Sequence, residues 1–209
     1  MKLDQKLGAS LWILSIQYFV TQFVVARAWK NSFSLTDNTI SDLGNTACAT
    51  YGKMYVCSPL HHWMNASFIL LGIFQASGGL ILCKRAINNK TKNLGFDFIV
   101  LAGIGTILVG IFPENTVIQL HMIGAALPFL IGNLGLILLG PNLKVPNILR
   151  VYTWVSGIIS LVALLLLVTH NYLSIGNGGM ERLTAYPQTI WLIVIGIYIL
   201  CQNSQIDNI

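Results

Sequence analysis

The chain has 209 residues, of which 55% are hydrophobic and only 9% are charged. A soluble domain carries roughly 25% charged residues, so this composition excludes an ordinary water-soluble protein and favours one that lies in a lipid bilayer. The formal net charge of +5 does not indicate nucleic-acid binding, because the basic residues lie between apolar segments instead of forming one patch.

Six apolar segments are long enough to cross a membrane as helices, which requires roughly 20 residues each. The predicted spans are 7–26, 63–83, 94–112, 117–139, 151–169 and 183–201. The first is longer than the core of a signal peptide, which is about 7–15 residues, and it contains Gln17 and Gln22. The sequence therefore predicts an all-α bundle of about six transmembrane helices that forms one membrane domain over residues 1–209.

The segments between the spans predict the orientation of the bundle. Eight of the twelve basic residues fall on one side and four on the other. The first group is Lys2, Lys6, Lys84, Arg85, Lys90, Lys92, Lys144 and Arg150. Because the side richer in basic residues faces the cytoplasm, both termini are predicted to be cytoplasmic in a multi-pass protein of the cell membrane.

The titratable residues predict a polar pocket on the outer face. All four histidines and four of the seven acidic residues fall at outer span ends or in outer loops: His61, His62, His121, His170, Asp37, Asp42, Glu114 and Glu181. Ionisable groups at the rim of a membrane are candidates for function, although polar residues also belong at an interface for structural reasons. The histidine spacing does not match a known metal motif, so no metal site is predicted.

The longest outer loop covers residues 29–60 and predicts two local structures. Ser34 with Asp37 resembles a helix-opening capping box, and Gly44 supplies a helix stop, so a short amphipathic helix is expected between them. Its polar face would carry Asn38, Ser41 and Asp42, either as a site or only as capping groups. Cys48 and Cys57 lie in the same oxidising compartment, where a structural disulfide is expected.

Three outer span ends are predicted to converge on this loop. His61 and Asn65 share a face at the start of span two, and His121 begins span four. Glu181 and Arg182 stand at the mouth of span six, where a buried Arg182 needs a partner such as Asp42 or Glu114, or else a bound phosphate or carboxylate. The polar face of the loop helix is therefore expected to meet His61, His121 and Arg182.

Motifs in each outer segment carry a resemblance to a known family. They are Asn38-Thr-Ile-Ser-Asp-Leu-Gly44, Cys57-Ser-Pro-Leu-His61 with Met64-Asn-Ala-Ser-Phe68, Gly110-Ile-Phe-Pro-Glu114 and Gly179-Met-Glu-Arg182. The combination resembles the bacterial and archaeal membrane family called domain of unknown function 998. This resemblance implies a six-span fold and supplies no activity. The segment Ile40-Ser-Asp-Leu-Gly44 is also similar to a signature of the DRAM and Sfk group of membrane proteins, which implies lipid-related roles.

These observations leave three functions open. The first is an enzyme or binding protein for a lipid headgroup or other anionic molecule at the outer leaflet, with Asp42, His61 and His121 as catalytic candidates. Its predicted ligand-binding residues are Asn38, Ser41, His62, Asn65, Glu114, Glu181 and Arg182. The second is a small-solute transporter, which a break of span four at Pro128 would favour. The third is a sensor or partner without catalysis. Membrane lipids are the expected partners, whereas the sequence does not identify a cofactor or an oligomeric state.

Overall fold

The computed structural model describes residues 3–30, 32–51, 54–83 and 89–202. Within them, six helical segments are long and apolar enough to cross a membrane, which confirms the predicted spans. They are Leu3–Arg27, His61–Leu82, Lys90–Ile111, Ile118–Asn142, Asn147–Val168 and Gly176–Cys201. The orientation prediction also rests on Lys2, Lys53, Lys84 and Arg85, which lie outside the described residues.

The regular elements follow a simple order. Span one consists of α1 (Leu3–Leu14) and α2 (Gln17–Arg27), and the loop after it carries a 3-10 helix (Ser41–Gly44) and strands β1 (Ala49–Tyr51) and β2 (Met54–Val56). Spans two and three are α3 (His61–Leu82) and α4 (Lys90–Ile111). Span four combines α5 (Ile118–Ala126), a π-helix (Leu127–Gly132) and α6 (Asn133–Leu139), and it ends in a 3-10 turn (Gly140–Asn142). Spans five and six are α7 (Asn147–Val168) and α8 (Gly176–Cys201).

The six spans pack in chain order around a closed ring. Each span contacts the next one along the chain, and α8 returns to pack against α1. Glycine permits the closest approach, between α3 and α4: a Cβ on Gly72 would collide with the carbonyl oxygen of Gly103. Small residues of this kind let helix backbones meet in a bilayer, where association depends on close packing and hydrogen bonds.

Two spans are irregular where polar or proline residues interrupt them. Span one breaks at Ser15 and Ile16, where hydrogen bonds of the Ser15 N–H to Trp12 and of the Tyr18 N–H to Ser15 replace the α-helical pattern. Span four adopts its π-helix at Pro128, because proline has no N–H to continue the α-helical ladder. The sequence indicated the second irregularity, but it carried neither proline nor glycine to signal the first.

The loop hairpin carries the predicted disulfide. Strands β1 and β2 pair antiparallel with Ala49 opposite Val56, and the next pair outward is Cys48 and Cys57. Their Cα atoms are 4.2 Å apart and their sulfur atoms are bonded, which confirms the predicted bridge. The bridge closes the open end of the hairpin directly before span two begins.

The helix predicted across residues 34–44 is much shorter in the structure. Only Ser41–Gly44 is helical, as one turn of 3-10 helix. The Asp37 N–H does donate to Ser34 Oγ as in a capping box, but the Asn38 side chain accepts the N–H of Ser34. Side chains that bond the local backbone in this way compete with a continuous α-helix.

The orientation can be tested by labelling cysteines from outside. In a background with Cys83 and Cys201 replaced by serine, we expect a membrane-impermeant thiol reagent to modify Asn171→Cys and to spare Lys144→Cys in sealed cells. Both positions are exposed, in loops at opposite ends of the bundle, so the two variants are matched controls. Modification of Lys144→Cys alone would show that the positive-inside assignment is reversed.

Candidate functional site

The middle of the long loop enters the mouth of the bundle, and we call residues 38–45 the plug. Ile40 and Leu43 are each 1% exposed and belong to one apolar cluster with Met64 of α3. Burying such a side chain contributes about 1.5–3 kcal/mol, so the apolar side of the plug holds it in place. The buried polar side chains of the plug are those of Asn38, Asp42 and Asn45. These need hydrogen bonds to offset their loss of water.

Glu181 of α8 binds the plug from the side of span six. Its Oε2 accepts the backbone N–H of Ile40 at 2.7 Å, and its Oε1 accepts the hydroxyl of Ser41 at 3.4 Å. Glu181 itself is buried at the start of the last span. One carboxyl group therefore holds a main-chain donor and a side-chain donor of the plug at the same time.

His121 of α5 binds the plug from the side of span four. Its Nδ1 lies 2.9 Å from the carbonyl oxygen of Phe112, which can only accept, so Nδ1 carries the proton. In the neutral ring the remaining nitrogen, Nε2, is then an acceptor, and it lies 3.1 Å from Ser41 Oγ. The single proton of the Ser41 hydroxyl thus lies between two acceptors, the His121 Nε2 and the Glu181 Oε1, and Ser41 donates to one of them at a time.

Asp42 is fixed by the plug's own residues. Its Oδ2 accepts the Thr39 N–H at 2.9 Å and the Asn38 side-chain amide at 3.2 Å, and the Asp42 N–H donates to Thr39 Oγ1. These local bonds orient the carboxylate away from solvent, where it meets Glu114. Of the three residues predicted to share a polar face, Asn38 and Asp42 are hydrogen-bonded to each other, whereas Ser41 contacts His121 and Glu181.

Glu114 forms a second carboxyl group beside Asp42. Burial raises the pKa of Glu114 to about 8, with further increases from the charge of Asp42, from a hydrogen bond to its carboxyl and from the charge of Glu181. A hydrogen bond from the Asn45 amide at 3.0 Å acts in the opposite direction. Near neutral pH, Glu114 therefore holds its proton and can donate it in a hydrogen bond to Asp42.

Arg182 binds the plug through main-chain oxygens instead of the predicted carboxylates of Asp42 or Glu114. Its Nη1 donates to the carbonyl oxygens of Leu35, Asn38 and Gly178 at 2.7–3.0 Å. Its Nε and Nη2 are buried and make no short hydrogen bond among the described residues, although the Tyr186 side chain lies close enough to interact with the guanidinium group. A guanidinium group has several N–H donors and no acceptor, so neighbouring main-chain carbonyl oxygens can bind it in place of a carboxylate.

A cavity of about 560 Å³ lies beside Arg182, between span one and span six. Five aromatic side chains line it: Phe19, Phe23, Trp29, Phe33 and Tyr186. Phe23 is 60% exposed, so the cavity opens on the lipid-facing side of the bundle. Its polar wall includes Arg182, Arg27 and Gln22, whose side-chain Nε2 is also buried without a partner among the described residues.

A second, much narrower cavity of about 40 Å³ lies beneath the plug, inside the bundle. Ser41 and Glu181 border it at the plug, and Gln75, Thr106 and Gln188 border it toward the membrane interior. The π-helix of span four contributes part of its wall. This cavity has room for a few small atoms only.

Three predicted site residues have other contacts. His61 Nδ1 lies 2.9 Å from the Ser58 carbonyl oxygen, and the His61 ring meets that of His62 edge to face. His62 is exposed at the start of α3. Asn65 donates to the carbonyl oxygen of Gly44 at 2.9 Å and so holds the end of the plug. The structure therefore brings His121 to the plug, but shows no hydrogen bond from His61 or His62 to it.

The structure adds residues that the sequence did not single out. Asn45 bridges the plug to Glu114, and Gln22 joins the aromatic cavity by accepting the Tyr186 hydroxyl at 2.8 Å. An amide within an apolar span was a visible signal for Gln22, because polar residues at that depth are rare. No local signal marked the Phe112 carbonyl, which sets the tautomer of His121.

The fold and this site define a polytopic membrane protein, a six-span bundle whose longest loop fills one mouth of the ring. The chain belongs to the family described as "Protein of unknown function (DUF998)", which it matches over residues 13–198. This match confirms the predicted family, whereas the roles of the single motifs and the similarity to the DRAM and Sfk group stay predictions. No curated protein and no solved structure gives a significant match to the chain.

Proposed function

We propose that this membrane protein binds the anionic headgroup of an amphiphile in the aromatic cavity between its first and last spans. The observation that carries the proposal is the free edge of Arg182: its Nε and Nη2 make no hydrogen bond among the described residues, and the side chain is only 7% exposed. Buried N–H donors that lack an acceptor are costly, and a phosphate or carboxylate oxygen would supply one.

The geometry of the free donors favours an anion with two oxygens. Nε and one N–H of Nη2 project from the same edge of the guanidinium group, and this edge grips carboxylate or phosphate in a bidentate manner. Nη1 is already held by three carbonyl oxygens, so the free edge is fixed in direction. The unpartnered Nε2 of Gln22 adds a third donor to the same cavity.

The remaining wall suits the apolar part of such a ligand. Phe19 and Phe23 follow one face of α2, and Phe23 faces the lipid side of the bundle. The Arg182 guanidinium carbon also lies 5.6 Å from the centre of the Phe33 ring. A cavity of this volume accommodates a headgroup while an acyl chain remains in the bilayer along α2. Under the predicted orientation this is the outer leaflet.

The test compares lipid binding by wild type and Arg182→Lys in detergent micelles. Lysine keeps the charge but loses the bidentate edge, so we expect affinity for phosphatidylglycerol to fall roughly tenfold or more, as for loss of a charged hydrogen bond. Arg150→Lys is the matched control, because Arg150 also donates to a backbone carbonyl but lies outside this cavity. Binding is measured by native mass spectrometry, with phosphatidylcholine as the lipid without net charge.

A competition experiment distinguishes a lipid headgroup from a soluble phosphate compound as the natural ligand. If soluble glycerol phosphate displaces phosphatidylglycerol, the phosphate group is sufficient for binding. If it does not, the acyl chains contribute to the affinity. Equal affinity for both lipids, or an Arg182→Lys variant that binds phosphatidylglycerol as wild type does, would contradict the proposal.

Transport is the second candidate function, and a specific feature favours it. The π-helix at Pro128 borders the narrow cavity beneath the plug, and Gln75, Thr106 and Gln188 add polar groups to the mainly apolar wall of that cavity within the membrane. Irregular helices that line a polar cavity are typical of transporters. Uptake of a small solute into proteoliposomes, independent of anionic lipid, would favour this candidate over headgroup binding.

A further inference from the structure

The hydroxyl of Ser41 stands between two groups that could remove its proton. Ser41 Oγ lies 3.1 Å from His121 Nε2 and 3.4 Å from Glu181 Oε1. His121 is only 4% exposed, and its Nδ1–H is held at 2.9 Å by the Phe112 carbonyl oxygen, which keeps Nε2 free to accept. A serine, an adjacent base and a third group that orients the base are the arrangement of an activated nucleophile.

The cavity beneath the plug has room for the acyl group of a small ester beside this hydroxyl, while the alcohol part of the ester stays outside the cavity. Ser41 borders the cavity of about 40 Å³ together with Phe68, Leu71 and Val109, and Gln75 and Gln188 border it toward the membrane interior. An acyl group of two or three carbons fits such a space, whereas a long fatty acyl chain does not. The wall is mainly apolar, which suits an acyl methyl group beside the reacting carbonyl.

We infer that Ser41 is the nucleophile of an acyl-transfer centre for short-chain carboxylic esters, with His121 as its general base. The inference goes beyond headgroup binding, because it concerns a different cavity and does not involve Arg182. The reaction class requires no cofactor, since an ester and water are its only reactants.

The proposed reaction has two balanced steps. In the first, Ser41 Oγ bonds to the ester carbonyl carbon while its proton passes to His121 Nε2. The bond to the alcohol oxygen then breaks, and His121 returns the proton to that oxygen, so the alcohol leaves and an acyl-serine remains. In the second step, water attacks the acyl carbon with His121 again accepting a proton, which then goes to Ser41 Oγ as the carboxylic acid leaves.

The experiment uses the full-length protein in detergent and two small probes. We expect diethyl fluorophosphate to add one phosphoryl group to wild type, which peptide mass spectrometry locates on Ser41, with fluoride as the leaving group. We also expect hydrolysis of p-nitrophenyl acetate and no measurable hydrolysis of p-nitrophenyl palmitate, because the cavity excludes a long chain.

The variants separate a catalytic role from a structural one. Ser41→Ala should lose the label, and His121→Gln should slow labelling at least about 100-fold, because glutamine can still accept the Ser41 hydrogen bond but is not a base. The labelling rate of wild type should rise with pH, since only the neutral imidazole accepts a proton. Ser34→Ala is the matched control, because Ser34 lies in the same loop and bonds to Asp37 instead of a histidine.

Three results would overturn the inference. The first is a folded wild-type protein that is not labelled by the fluorophosphate and does not hydrolyse the acetate ester. The second is a label on a residue other than Ser41, and the third is a His121→Gln variant that reacts at the wild-type rate. If Ser41→Ala does not fold, as shown by the loss of its thermal transition, the position of the label in the wild-type protein decides by itself whether Ser41 is the nucleophile. Headgroup binding is measured separately through Arg182→Lys, so either proposal can fail without the other.

Discussion

Replacement of Glu181 by alanine is expected to lower the stability of the folded protein by about 3 kcal/mol and to release the plug. The variant removes the buried carboxyl oxygen that accepts the Ile40 N–H at 2.7 Å. A buried N–H left without a partner costs about 1–3 kcal/mol, and a hydrogen bond to a charged acceptor contributes about 1.5–3 kcal/mol. Loss of the bond to Ser41 and the cavity left by the side chain add to this cost.

Thermal melting in detergent and limited proteolysis of the long loop measure the effect. Glu181→Gln should lose much less stability, because its amide oxygen can still accept the Ile40 N–H while its amide nitrogen donates to Ser41 Oγ. Leu183→Ala is the matched control on the same helix, since Leu183 is 39% exposed toward the lipid side. A Glu181→Ala protein that melts with wild type and resists proteolysis would refute the role of Glu181 as the plug's anchor.

Raising the pH from about 6 to 9 is expected to destabilise the wild-type protein, and Glu114→Gln should remove most of this loss. The pKa of Glu114 is raised to about 8 in the folded protein, first by burial and then by Asp42. An unfolded glutamate titrates near pH 4.3. Between these values the folded state holds one proton more than the unfolded state, so stability decreases as pH rises, by at most about 1.4 kcal/mol per pH unit.

The variant is chosen because it imitates the protonated form. Glutamine at position 114 can accept the Asn45 amide with its oxygen and donate to Asp42 with its nitrogen, at every pH. We therefore expect Glu114→Gln to match wild type near pH 6 and to exceed its melting temperature above pH 8. Asp37→Asn is the control, because Asp37 is exposed in the same loop. A wild-type melting temperature that does not change over this range would contradict the raised pKa of Glu114.

The six spans could be predicted because apolar length is a property of the local sequence. The predicted first span, 7–26, includes most of α1 and α2, although nothing in the sequence marked the break at Ser15 and Ile16. The disulfide was also predictable, because Cys48 and Cys57 lie close together in the one long loop, which was expected in an oxidising compartment. These features depend on neighbours along the chain and on the bilayer.

The hydrogen-bond partners at the site could be predicted only in part. Ser41, His121 and Glu181 were expected at the same end of the bundle, but their choice of partners depends on distances that only the folded ring sets. Arg182 was expected to meet a carboxylate and instead donates to carbonyl oxygens, which every residue carries and which no sequence motif can identify. Gln22 and Tyr186, 164 residues apart, meet only because α8 closes the ring against span one.

The closed ring has a consequence for how the protein is assembled. Each middle span can pack against its predecessor as soon as it enters the membrane, but span one must wait for span six before its second neighbour exists. During synthesis, the seam between these two spans therefore faces lipid for longer than any other contact. The Arg182 cavity lies in this seam, so a lipid can occupy it before the ring closes, and no later opening of the bundle is required for entry.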